Sequence, residues 1–70
     1  MKLISDIEEL KKGDTIIVKG SKWFDDKGLM RVTGDIYSIN KSNFKIKIQC
    51  VETDSIEEFF LNNSKVFLIS

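Results

Sequence analysis

A thiol needs an activating base, and this chain supplies none. Cys50 is its only cysteine and it contains no histidine, so Cys50 reads as a core thiol and not as a nucleophile. The same two counts exclude an intrachain disulfide framework and leave too few ligands for a zinc site. No metal and no cofactor is expected. Acid–base work by paired carboxylates would fall to Asp54, Glu57 and Glu58. Such a pair needs a substrate cleft, which 70 residues leave little room to build, so the three read as a charged rim. Gly13, Gly20, Gly28 and Gly34 are too scattered to cradle a phosphate. The residues point away from an enzyme and toward non-catalytic recognition.

Two sets of side chains could recognise something. The first is aromatic. Trp23, the only tryptophan, stands beside Phe24 in the charged stretch SKWFDDKGLM, residues 21–30. Adjacent side chains in extended backbone point to opposite sides, so Phe24 is expected inward and Trp23 at the surface rim. If Phe59, Leu61, Val66 and Leu68 point inward, Phe60, Phe67 and Ile69 point outward. Three large apolar residues on an outer face are unusual for a monomer. Either the N-terminal Ile4, Ile7 and Leu10 cover them, or a partner chain does. Trp23, Phe60 and Phe67 are therefore the expected anchors of a protein partner, large rings being favoured at the centres of interfaces.

The second set is basic. Lys45 and Lys47 alternate along one strand, with Lys41 and Arg31 nearby in sequence, and the four could meet the phosphates of a nucleic acid. A solvated outer face that guards against edge pairing is the plainer reading of the same row. Net charge is zero, which gives no overall attraction to a polyanion. The distribution is uneven. Residues 1–9 carry one Lys and three acids (−2), residues 10–47 nine Lys/Arg and four Asp (+5), and residues 48–70 one Lys and four acids (−3).

The elements that must position these residues read mostly as β-structure. ISDIEELKKGD suggests one or two helical turns, with Ser5 and Glu8 at capping-box spacing and Gly13 as the stop. DTIIVKG is a β-branched strand. LMRVTGDIYSIN is a longer one, with Gly34 marking a bulge or bend. NKSN is a turn. FKIKIQC alternates cleanly, with Phe44, Ile46, Ile48 and Cys50 facing one way and Lys45, Lys47 and Gln49 the other. VETDS turns again, IEEFFL reads as a strand, NNS turns, and KVFLIS closes the chain. Five closely spaced strands pair antiparallel, and a small barrel removes their edges.

The stretches LKKGDTIIVKG and VTGDIYSINKSNFKIKI, followed by EEFFL, NNS and KVFLI, resemble SH3-like small β-barrels of the KOW and Tudor type over residues 10–70. The resemblance implies an all-β, five-stranded antiparallel barrel with an N-terminal helical lead-in at 1–12 and the barrel at 13–70, all in one domain. It implies a single helical turn before the last strand and adds some weight to nucleic-acid binding. No ALYDY-like stretch is present, so PxxP recognition is not implied. The expected core is Ile16, Val18, Met30, Val32, Ile36, Phe44, Ile46, Ile48, Phe59, Leu61, Val66 and Leu68.

No apolar run is long enough to cross a bilayer and the N-terminus lacks a signal-peptide pattern, so a cytoplasmic location and no membrane partner are expected. The Lys, Ile and Asn bias reads as coding from an AT-rich genome, that of a bacterium or its phage. The leading expectation is a small regulator or inhibitor that docks on a larger protein. Nucleic-acid binding through Arg31, Lys41, Lys45 and Lys47 is the second, and a structural homo-oligomer subunit, a homodimer included, is the third.

Overall fold

Short β-branched runs broken by turn residues cannot bury an apolar face alone, and here they do so in one sheet. A computed structural model describes residues 1–69. Its strands are β1 (Lys2–Leu3), β2 (Thr15–Lys19), β3 (Arg31–Asn40), β4 (Lys45–Cys50), β5 (Ser55–Phe60) and β6 (Lys65–Leu68). They form a single antiparallel sheet in the order β1-β6-β2-β3-β4-β5. The all-β class with little helix is as expected. The five-stranded barrel is not: there are six strands, and the sheet is not closed, with β1 and β5 at its two edges.

The extra strand has a simple cause. The first residues run extended beside β6, pairing Lys2 with Leu68 and Leu3 with Phe67. The Ile4 N–H then donates to the Val66 carbonyl at 2.8 Å. Only after that does the chain make one 3-10 turn, Ile7–Glu9. Its cap is Asp6, not the expected Ser5. Asp6 accepts from the Glu8 N–H, while Glu9 accepts from the Asp6 N–H at 3.0 Å and the Ser5 N–H at 3.0 Å. Lys2 Nζ lies 2.7 Å from the other Glu9 oxygen. The Lys2 contact, with those two N–H groups, lowers the Glu9 pKa from 4.5 to about 2.

The core lies on one face of the sheet. Ile16, Val18, Val32, Ile36, Ile46, Ile48, Cys50, Phe59, Leu61 and Val66 are buried there, and Leu68 packs partly against them. Ile4, Ile7 and Leu10 join the same cluster. They therefore do not cover Phe60 and Ile69, which stay about half exposed at 48% and 47%. Two expected core residues are outside. Met30 is exposed at a bend before β3, and Leu29 packs against the core instead. Phe44 sits at the end of a turn with φ 56°, so it leaves the strand phase that Ile46 and Ile48 keep.

The irregularity in β3 falls at Tyr37, not at Gly34. The register with β4 shifts between Ile36 and Ser38. That one extra residue lets Ile39, in place of Ser38, face Ile46. Gly34 has a different task. A Cβ built there would lie 2.5 Å from the Gln49 carbonyl oxygen, so the two backbones approach as only glycine permits.

Candidate functional site

The segment between β2 and β3 is short, polar and capped by a glycine, yet it carries two large rings. It folds as one helical turn, α1 (Lys22–Asp25). The Phe24 and Asp25 N–H groups donate to the Ser21 carbonyl, and the Leu29 N–H returns to the Phe24 carbonyl at 2.8 Å. Gly28 takes φ +77° to make that return, a conformation costly for other residues. Successive residues of a helix point about 100° apart, and this, not the expected extended backbone, separates the two rings. Phe24 is buried at 1% exposure, its ring centroid 5.8 Å from that of Phe59. Trp23 is 52% exposed. The division of the pair is the expected one.

What fixes the Trp23 ring is a carboxylate. β5 pairs with β4 so that Glu57 lies opposite Ile48 and shares the inward side with Phe59. Glu57 is consequently buried and not part of a rim. Its Oε1 accepts from Lys27 Nζ at 3.0 Å and from the Trp23 indole N–H at 3.3 Å. Its Oε2 accepts from Ser55 Oγ at 2.9 Å. Lys27 Nζ also lies 4.7 Å from the Trp23 ring centroid, within cation–π range. The Lys27 ammonium outweighs burial and, with the hydroxyl and indole donors, brings the Glu57 pKa down from 4.5 to about 2. Sequence reasoning placed Glu57 in a charged rim with Asp54 and Glu58 and did not bring it to Lys27 and the Trp23 ring. The signal was present: Glu57 is two residues from Phe59 on the same strand and so must face the same way.

Beside this anchored ring runs a mainly apolar groove of about 380 Å³, with Trp23 and Phe60 in its lining along with Phe59, Asp26, Glu58 and Asn63. Trp23 and Phe60, 37 positions apart in the sequence, thus meet in one place. Phe67 does not join them. It lies half-buried on β6, separated from β5 by three intervening strands, with Lys19 Nζ 5.6 Å from its ring centroid.

The four expected phosphate ligands are also not brought together. Lys45 and Lys47 both reach Glu58, at 3.2 and 3.9 Å. Lys41 pairs with Glu8 at 2.8 Å. Arg31 begins β3 beside Lys19, while Lys47 and Lys45 pair near its far end with Ser38 and Asn40. Cys50 is buried, with its thiol 3.6 Å from Glu52 Oε1. Among the described residues no group of three His, Cys, Asp or Glu is placed to hold a metal, and no helix is long and apolar enough to cross a membrane. Comparison with protein families, with characterised proteins and with solved structures finds no match to the chain.

Proposed function

We propose that the chain is a non-catalytic protein-binding module whose groove between α1 and β5 receives an apolar side chain of a partner protein. The observation that carries this reading is the convergence of Trp23 and Phe60, both about half exposed, on a single apolar groove. The indole is already fixed by Glu57 and Lys27, so little side-chain freedom is lost when it is covered. Asp26 and Lys22 both line the groove and neither has an ion-pair partner among the described residues, so the rim offers a partner segment one contact of each sign. β5 is an edge strand, and an extended segment beside it gains backbone hydrogen bonds as well as side-chain contacts.

The strand order β6-β2-β3-β4-β5, with a 3-10 turn at Leu61–Asn63 before β6, supports the likeness to SH3-like small barrels as the finer description of the architecture. In this reading the α1 segment is the long loop that such barrels lay across one flank. Docking on a larger protein fits the role of a small regulator or inhibitor.

The test is selection of peptides from a random display library on the immobilised chain, followed by affinity measurement on Trp23→Ala and Phe60→Ala. Truncating a central aromatic anchor costs about 2 kcal/mol or more, which is about 30-fold in Kd. Enriched peptides that bind both variants as tightly as the parent chain would remove the groove from consideration.

A further inference from the structure

The face of the sheet opposite the core carries a charge arrangement that the fold does not use. Lys19 on β2 stands directly across from Arg31 on β3 and from Lys65 on β6. The residues two further along, Ile17, Thr33 and Phe67, pair in the same way. Side chains on one face of a strand recur every second residue, so Lys65, Lys19 and Arg31 form one row, and Phe67, Ile17 and Thr33 the next.

All three cations are exposed, and none has a carboxylate within ion-pair distance among the described residues. Like charges directly opposite one another destabilise a sheet, and nothing in the fold relieves this. Asp35, on the same face of β3, is four residues or about 13 Å from Arg31 and accepts from Thr15 Oγ1. Glu52 is engaged by the Thr33 N–H at 2.8 Å. By contrast, Lys27, Lys41, Lys45 and Lys47 are all paired with acids.

The second row is apolar except for Thr33 at its end. Leu3 of β1 pairs with Phe67 and extends the row by one strand. Leu3 is exposed, Phe67 half-buried and Ile17 buried. A line of unpaired cations spanning about 10 Å across three strands therefore runs parallel to a flat apolar shelf containing an aromatic ring. We infer that this face binds single-stranded nucleic acid, the phosphates along Lys65, Lys19 and Arg31 and the bases stacked over Phe67 and Leu3. A cationic track beside a stacking platform is the general arrangement for such ligands. A duplex hides its bases and has no use for the shelf. A bilayer would need apolar groups that protrude, whereas Ile17 is buried and Phe67 half-buried; the Lys19 ammonium, 5.6 Å from the Phe67 ring centroid, swings to a phosphate as a base takes its place on the ring. This inference goes beyond the groove at Trp23 and does not depend on it.

The test is fluorescence anisotropy of a labelled oligothymidylate titrated with the intact chain at low and raised salt. Three phosphate contacts to a single strand give a slope of about −2 in log K against log salt, or about 20-fold weaker binding from about 50 to 200 mM. Lys19→Ala, Arg31→Ala or Lys65→Ala should each bind more weakly and reduce that dependence to about 7-fold. Each is an exposed position, and a melting curve verifies that the variant folds. Lys47→Ala and Lys41→Ala should bind as the parent does. The inference is overturned by any of four results: no anisotropy change at low salt, unchanged binding by all three row variants, a duplex bound as tightly as the single strand, or sedimentation with phosphatidylserine vesicles without oligonucleotide binding.

Discussion

Replacing Glu57 with Gln removes one charge, keeps the amide oxygen as acceptor for the Trp23 indole, and turns the other contact round so that the amide NH2 donates to Ser55 Oγ. What is lost is the Lys27 ion pair at 3.0 Å. Exposed pairs contribute about 0.2–1 kcal/mol and hydrogen bonds to charged groups about 1.5–3 kcal/mol. With the Glu57 side chain 9% and the Lys27 side chain 40% exposed, the pair lies between these limits, at about 1 kcal/mol. In a domain of this size that lowers Tm by about 4–8 °C. The loss must depend on pH. The folded-state pKa of Glu57 is lowered from 4.5 to about 2. Its contribution is therefore complete above the unfolded value and disappears as pH falls toward the folded one. Thermal melts of parent and Glu57→Gln should differ at neutral pH and converge near the lower value. Glu9 titrates over the same range but is common to both proteins and cancels in the difference. A cycle with Lys27→Met should return a coupling of about 1 kcal/mol. A Tm difference that persists unchanged in acid, or a coupling near zero, would refute the claim that this pair holds the α1 turn to β5.

Three further substitutions test the fold that carries the site. Gly34→Ala places a methyl 2.5 Å from the Gln49 carbonyl oxygen and should destabilise by at least about 2 kcal/mol, read from urea unfolding; an unchanged midpoint would mean the strands do not approach so closely. Asp54→Gly relieves a left-handed residue at φ 53° and should stabilise by about 1 kcal/mol, seen as a higher Tm. Ile46→Asp puts a charge at a position with 0% exposure and should leave no cooperative thermal transition in circular dichroism.

The parts of this molecule that were legible in its sequence are those where one local rule acts alone. At 45–50 alternation is unbroken, and Ile46, Ile48 and Cys50 are buried as their phase requires. The opposition of Phe24 and Trp23 was also legible, although through helical and not extended backbone. Legibility failed where a neighbour in space decides. The bulge at Tyr37 was hinted at by Ile36 and Ile39, which stand three apart in a strand and can share a face only if a residue is inserted. Phe44 lost its place to a left-handed turn whose carbonyl accepts from the Leu61 N–H at 2.9 Å, a long-range contact with no local signature. The inward direction of Glu57 followed from its place two residues before Phe59, but its contacts with Trp23 and Lys27 needed knowledge that α1 folds over β5. The cationic row needed the β6-β2-β3 register, because Lys19, Arg31 and Lys65 are far apart in the chain.

The groove reading is tested most directly by following the Trp23 indole N–H resonance of the labelled protein while a display-selected peptide is added. With only one tryptophan in the chain there is a single such signal to follow. Occupation of the groove should shift or broaden that signal in step with binding, and amide signals of Asp26, Phe60 and Asn63 should move with it. Saturation with peptide while those signals stay still, and others elsewhere on the sheet move, would contradict the assignment of the groove as the binding site.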